Sequence, residues 1–372
     1  MRSWLAYLSP GHRLILVDRL VRLFFLRWAL VLTVIVSVLL VLDLLNKSDE
    51  LLAPAGATQA SLLRYFELRW PQAVSQFSPF AALLSVLTVL SGLSGSNEVT
   101  AMRAGGLSAM RVIAPFIIGC ALLSTTHFCF HELISVPAAA RQAIWEDNQY
   151  DPRFALTGEF QDLATNAFIS ESGLILKASK AERQGERATL EDVTVYQRDD
   201  GVFSRVTFAH SATVGPEGFF LNEARSLDLA SRRIERTQRL RFPAQISVDR
   251  LFVRARNPEE ISLRELVRLI GSMRAEGSPA KELETVFWRR LTRPLATLVM
   301  PFMAAVAGFG LSRHGGTVAR LLAGAALGFS FFVFDNVLAA LGELGVMDSI
   351  FAAVAPPLIY AGVGIAFVLS SD

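Results

Sequence analysis

Six long apolar segments alternate with polar ones along the chain, in two groups of three. They cover about 24–45, 73–93, 112–131, 286–311, 318–341 and 350–369. A helix needs about 20 apolar residues to cross the hydrocarbon core of a bilayer, so each segment is long enough to span a membrane once. Shorter amphipathic helices are predicted at 1–22, 61–70 and 259–275. The pattern predicts an α-helical membrane protein with six transmembrane helices.

The region between the two groups has a different pattern. Short runs rich in β-branched and aromatic residues, such as 193–196 and 202–208, are separated by polar turns such as 198–201. Such runs favour strands, and they predict an all-β domain of about eight to ten strands, a sandwich or jelly roll. A closed sandwich would cover the apolar face of each strand, whereas an open one would leave a groove for an acyl chain.

These segments divide the chain into a membrane half at 1–138, the β domain at 139–258 and a second membrane half at 259–372. Six spans place both termini on one side. The loops predicted on that side carry arginines, which indicate the cytoplasm: Arg103, Arg111, Arg313 and Arg320. The turn before the last span carries only Glu343 and Asp348 as charged residues. The β domain is therefore expected outside the cytoplasm.

Composition agrees with a membrane protein and adds little about partners. The chain is 52% hydrophobic, with a mean hydropathy of +0.40 and a net charge of +2, which gives no reason to expect nucleic acid. Cys120 and Cys129 would lie about 13 Å apart along one helix, too far for a disulfide. The first apolar run has no cleavage signal and is expected to stay as a span.

Catalytic motifs are missing from the sequence. No G-x-x-x-x-G-K-[ST] phosphate-binding loop occurs, so any ATP that drives this protein would be hydrolysed by another subunit. We expect no catalytic residue, no cofactor and no metal in this chain. His127 and His131, four residues apart, are interpreted as an interfacial pair rather than as metal ligands.

The polar segment 96–108, between the second and third spans, is the strongest candidate for function. It predicts a short helix over 97–104, a break at Gly105-Gly106 and a new helix from Ser108. Either it is an ordinary loop or it docks on a soluble partner. Glu98 would complement the helix dipole in the first turn and could pair with a basic partner. Arg103 could dock or reach lipid headgroups.

The sequence from Asn97 to Arg111 resembles the coupling-helix signature of the LptF/LptG permeases, the membrane subunits of the bacterial lipopolysaccharide export ABC transporter. Residues 287–294 (FWRRLTRP), 328–336 (GFSFFVFDN) and 345–357 resemble the last helices of the family, most of all in its LptG branch. The resemblance covers the whole chain and includes the position of the β insertion.

This resemblance implies a multi-pass protein of the inner membrane with a periplasmic β jelly roll. It also implies an LptF-type permease as partner, an LptB-type ATPase dimer that binds ATP and Mg, and an LptC-type single-span protein. Lipopolysaccharide would be the cargo. Glu98, Arg103, Gly105 and Gly106 would form the ATPase-coupling site. An LptF-type identity remains the alternative within the family.

Five cations near the predicted outer membrane boundaries run against the usual orientation bias and are candidates for binding lipid phosphates. They are Lys47, Arg141, Arg289, Arg290 and Arg293. Snorkelling to headgroups is the other interpretation. The lysine that the family often carries in the first span falls near Leu40 here, which is apolar. Asp335 is interpreted as a structural acid.

Two other classes of protein were considered. An ion-driven secondary transporter would carry acids at mid-bilayer and repeated halves, and neither is evident. A membrane-anchored scaffold would need only one or two spans.

Overall fold

The computed structural model describes most of the chain. It covers residues 10–54, 57–151, 163–171, 174–199, 202–229, 231, 233–242, 248, 257–275, 279–310 and 317–371. The predicted loop around Arg313, the first residues of the predicted N-terminal helix and the end of the predicted turn at 198–201 lie outside the described residues.

Helices form both ends of the described part of the chain. They are α1 (Pro10–Leu52), α2 (Gln59–Gly95), α3 (Glu98–Ala104), α4 (Ala109–Phe130), α5 (Val136–Asp147), α6 (Leu263–Ala275), α7 (Lys281–Gly310), α8 (Thr317–Glu343) and α9 (Ser349–Ser370). A π-helical turn, His131–Ser135, joins α4 to α5, and a 3₁₀ turn, Pro258–Glu260, precedes α6. Six of the described helices are long and apolar enough to cross a membrane, which confirms the predicted spans.

The helices are longer than the apolar segments that predicted them. From Pro10 on, the amphipathic segment predicted at the N-terminus continues into the first span as one 43-residue helix. Likewise, 61–70 belongs to α2, and the third span runs through the π turn into α5. Backbone hydrogen bonds do not depend on side-chain polarity, so a helix continues past the membrane boundary where no breaker ends it. Pro71 lies inside α2 without ending it.

The chain forms two compact units. The first comprises 1–45, 69–136 and 262–372, and the second comprises 46–68 and 137–261. In the first unit, α7 packs against α4, α8 and α9. Its core contains fully buried side chains of α2, α4 and α7, among them Leu83, Leu87, Ile113, Phe116 and Met300.

Two glycines of α8 permit a close helix contact in this first unit. A Cβ atom at Gly324 would overlap the side chain of Leu87 on α2, and one at Gly328 would overlap Leu83. Gly324 and Gly328, four residues apart, thus form a small-xxx-small pair at a helix–helix contact, where an added Cβ would force Leu87 or Leu83 to shift.

The second unit contains a six-stranded antiparallel sheet. Its strands follow chain order: β1 (Leu163–Glu171), β2 (Leu174–Gln184), β3 (Arg187–Asp199), β4 (Val202–Gly215), β5 (Gly218–Asp228) and β6 (Ile234–Phe242). Alternate residues such as Leu190, Ala212 and Leu221 form one apolar core. The inserted β domain is thus confirmed. The described part holds fewer strands than expected, and 152–162 and 243–247 of the predicted domain lie outside it.

Along the central strands, the buried side chains switch from odd-numbered to even-numbered positions or the reverse. In β5, Phe219 and Leu221 are buried before Glu223, whereas Ala224 and Ser226 are buried after it. Glu223 has φ 53°, a left-handed conformation that lets two successive side chains point outward.

Candidate functional site

The candidate coupling segment forms the short helix α3, between α2 and α4. Glu98 lies in its first turn and Arg103 in its last, so both charges complement the helix dipole. Val99 is buried, and Met102 packs against the core of the first unit, which we call the membrane unit. The helix is therefore anchored on one face and presents Glu98 on another, with 42% of that side chain exposed.

The glycine pair ends α3 in a defined way. Leu107 N–H donates to the Met102 carbonyl at 3.1 Å, and Gly106 N–H donates to the Arg103 carbonyl at 2.9 Å. These are the two hydrogen bonds of a Schellman motif, which needs a left-handed residue just past the helix. Gly106 supplies it with φ 86°. The Ser108 side chain then accepts from Arg111 N–H and caps α4.

Both charged residues of α3 contact other parts of the first unit. Arg19 of α1 lies 3.9 Å from Glu98, and the Ser96 hydroxyl donates to the same carboxylate at 3.1 Å. Arg103 donates to the backbone carbonyl of Ser371, just past α9. The Glu98 pair is exposed and too long for a hydrogen bond, so it stabilises little and leaves the carboxylate accessible.

The structure places three of the candidate phosphate-binding cations on α7. Arg289 donates to Asp335 of α8 at 2.9 Å and to Asn336 at 3.2 Å. Asp335 is thus a counter-ion of Arg289 within the bundle, and its interpretation as a structural acid stays a prediction. Arg290 is only 3% exposed and lies 3.7 Å from Glu132 of the π turn.

Arg293 joins a polar cluster that sequence reasoning missed. Its Nη1 donates to His131 at 2.7 Å. The Ser75 hydroxyl lies 2.8 Å from the other ring nitrogen of His131 and 3.1 Å from His127. All four belong to the first unit, and both histidines and Ser75 are buried. The i, i+4 spacing of the histidines was the available signal, but Ser75 and Arg293 are distant in sequence.

The remaining two candidate cations belong to the second unit. Lys47 pairs with Glu146, and Tyr150 Oη lies 3.0 Å from its Nζ. Burial raises the pKa of the Tyr150 hydroxyl, against the opposing effect of Lys47. Arg141 is exposed on α5, with no ion pair to it in the part of the chain that the structure describes. The structure therefore groups Arg289, Arg290 and Arg293 on one helix of the first unit, whereas Lys47 and Arg141 belong to the second unit.

Potential metal ligands in the described residues do not form a suitable group. Among the described residues, no set of three or more His, Cys, Asp or Glu side chains could hold a metal ion. The two cysteines are free, Cys120 buried and Cys129 exposed.

Comparison with known proteins identifies the family. The sequence model described as "Lipopolysaccharide export system permease LptF/LptG" matches residues 19–370. The chain belongs to the LptF/LptG permease family. One relative is the lipopolysaccharide export system permease protein LptG of Haemophilus influenzae, 24% identical over 303 residues, or 78% of this chain and 80% of the relative. LptG of Escherichia coli K12 is 23% identical over 298 residues, or 78% and 81%.

The match to LptF/LptG includes the spans, the β insertion and the segment 96–108, so the resemblance drawn from the sequence motifs is confirmed. The roles of Glu98, Arg103, Gly105 and Gly106 in coupling, and of the five cations in phosphate binding, stay predictions.

Proposed function

We propose that this chain is the LptG-type permease subunit of an ATP-driven lipopolysaccharide exporter. Its place is in the bacterial inner membrane, with α3 in the cytoplasm and the β domain in the periplasm. The observation that carries the proposal is the exposed Glu98 carboxylate on a short, capped helix between two spans. Family membership and two relatives named LptG support it.

The chain works through partners and performs no chemistry itself. The sequence has no phosphate-binding loop for ATP, so a separate ATPase dimer supplies the energy and binds ATP and Mg. Closure of that dimer pushes on α3, which is packed on the membrane unit through Val99 and Met102. Because the Schellman motif fixes the exit from α3, the movement passes on to α4 instead of being lost in a flexible loop.

Apolar stripes on the membrane unit support a lateral route for lipid and a second permease. On α1, Leu30, Val34 and Val38 are each more than half exposed, and on α8 the same is true of Leu322 and Phe329. Continuous apolar faces of this kind contact lipid chains or another helix bundle. α1 and α8 thus form the sides of a lateral gate for lipid that faces an LptF-type partner. An LptC-type protein adds one more helix to the complex.

Purification from detergent-solubilised membranes tests the proposal. A tagged chain is expected to bring with it a soluble ATPase and a second, related six-span permease, both identified by mass spectrometry. An ion-driven transporter or a scaffold would bring neither, and recovery of the chain without an ATPase would refute the proposal. Recovery with an LptG-type rather than an LptF-type permease would assign this chain to the other branch.

A further inference from the structure

Two side chains bond α1 to the part of α2 that lies next to α3. The Ser85 hydroxyl of α2 donates to the Phe24 carbonyl of α1 at 2.8 Å, and both residues are fully buried. In the opposite direction, Arg27 Nη1 of α1 donates to the Thr88 carbonyl of α2 at 2.8 Å. Hydrogen bonds are directional and are stronger where water is excluded, so these two hold the helices in one register.

The same pair of helices is bonded at two further levels. Trp28 Nε1 donates to the Ser78 carbonyl at 3.3 Å, near the middle of α2. Arg69 Nε donates to the Asp43 carboxylate at 2.8 Å, near the far end of α1. All these residues belong to the first unit. Because α1 and α2 are bonded at several levels within that unit, we expect them to move together.

α2 is bonded to α4 at a point that a proline creates. Pro79 has no backbone N–H, so the Ser75 carbonyl, four residues earlier, lacks its usual partner within the helix. His127 Nε2 of α4 lies 2.9 Å from this carbonyl and is its donor, since a carbonyl can only accept. Both Ser75 and His127 are buried. A neighbouring helix thus satisfies the freed carbonyl, as in other membrane helices, and fixes α2 to α4 at one level.

Other contacts of α1 and α2 are apolar and face glycine. The Phe24 ring packs on Gly119 of α4, where a Cβ would come within 2.9 Å of the ring. Leu83 and Leu87 of α2 pack in the same way on the two glycines of α8. Packed helices can slide by small amounts along such surfaces, because a glycine has no side chain to interlock. The hydrogen bonds therefore decide which helix follows α2 and where α2 is fixed.

Pressure on α3 reaches α2 through a short, bonded linker. Only Ser96 and Asn97 separate the two helices. Ser96 N–H donates to the Gly92 carbonyl and Asn97 N–H donates to the Ser94 carbonyl, each at 3.1 Å. Since both linker residues are bonded back to the last turn of α2, a displacement of α3 also displaces that end of α2.

We propose that α1 and α2 form a lever that pivots on α4 at Ser75, so that pressure on α3 swings the exposed face of α1. Ser85 and Arg27 are the positioning residues that make α1 follow α2, and His127 is the positioning residue at the pivot. This inference rests on the proposed function and names the route by which ATP-driven movement reaches α1, one side of the gate.

The test measures the lipid released per ATP hydrolysed by the complex reconstituted in proteoliposomes with lipopolysaccharide. Ser85→Ala removes one hydroxyl and is expected to lower this ratio about fivefold, the lower end of the usual coupling between two sites, while ATP hydrolysis continues. Ser91→Ala is the matched control on the same helix, because Ser91 is also buried but its hydroxyl has no hydrogen-bond partner among the described residues. This control should keep the wild-type ratio.

Conservative variants separate positioning from simple destabilisation. Arg27→Met removes the donor and should lower the ratio as Ser85→Ala does, whereas Arg27→Lys keeps a cationic donor and should retain most of the wild-type ratio. His127→Leu should also lower the ratio, and His127→Gln, which keeps an N–H donor, should restore it. If Ser85→Ala is too unstable to purify, Arg27→Met decides in its place.

Distances between spin labels follow the lever itself. Labels at Val38→Cys on α1 and Leu122→Cys on α4, two exposed positions, report its swing in a background where the exposed Cys129 is replaced. Trapping the complex in its ATP-bound state should change this distance when Ser85 is present and leave it unchanged in Ser85→Ala. An equal change in both would overturn the inference, and so would no change in either.

The outcomes separate the two proposals. If the wild-type complex hydrolyses no ATP or releases no lipid, the proposed function fails and this inference fails with it. If the wild type releases lipid but Ser85→Ala and Arg27→Met keep its ratio, the lever is overturned and the proposed function stands. An equal loss in Ser91→Ala would also overturn the lever, because the effect would then come from the removal of any buried hydroxyl.

Discussion

Gly106 provides a sharp test of how α3 is held. Its φ of 86° is one that residues with a Cβ rarely adopt, and a Cβ there would meet no atom within 4 Å. Gly106→Ala therefore changes backbone strain with no steric clash. The cost of the left-handed conformation for an L-residue is about 1–2 kcal/mol. That strain falls on the two hydrogen bonds that end α3.

Hydrogen exchange of the peptide covering 98–107 measures this cost. A loss of about 1–2 kcal/mol corresponds to about 5- to 30-fold faster local opening. Gly105→Ala is the matched control, because Gly105 has φ −77° and its Cβ would have ordinary contacts at 3.4 Å. Gly106→Asn should fall between the wild type and Gly106→Ala, since asparagine tolerates this conformation. Unchanged exchange in Gly106→Ala, or faster exchange in Gly105→Ala, would refute the reasoning.

Two other predictions concern packing and charge. Gly328→Leu should destabilise the membrane unit by about 1–3 kcal/mol, because its side chain would overlap Leu83. Thermal unfolding measures this loss, and Gly362→Leu is the control because a Cβ there would have no neighbour within 4 Å. Equal shifts in unfolding temperature for both variants would contradict the packing argument. A double-mutant cycle on Lys47 and Glu146, whose side chains are 28% and 44% exposed, should give a coupling of at most about 1 kcal/mol. A much larger coupling energy would contradict this prediction and would mean that the pair contributes strongly to stability.

The spans and the β insertion could be predicted because they depend on composition over long stretches. About 20 apolar residues in a row, or short alternating runs, give signals that a single residue does not change. The extent of α1, α2 and α4–α5 could not be predicted, because polar residues at 46–52 and 61–70 do not by themselves end a helix. The change of buried positions at Glu223 could not be predicted either, since glutamate rarely adopts a left-handed conformation.

The candidate site was predicted unevenly for a similar reason. The Gly105-Gly106 break and the first-turn Glu98 are local features, and the structure shows the short helix ending at the glycine pair, where the break was expected. The partners of the cations are not local. Glu132, His131 and Asp335 come from other elements, so their pairing with the arginines of α7 depends on how the bundle packs.

The most direct test of the account measures ATP hydrolysis and lipid release together for Glu98→Lys in the reconstituted complex. The variant places a cation where an acid is expected to meet the ATPase, so we predict that the complex stays in the membrane and hydrolyses ATP while lipid release falls to background. Glu217→Lys, which makes the same change at an exposed position between β4 and β5, should behave as the wild type. Normal lipid release by Glu98→Lys would contradict the assigned role of α3.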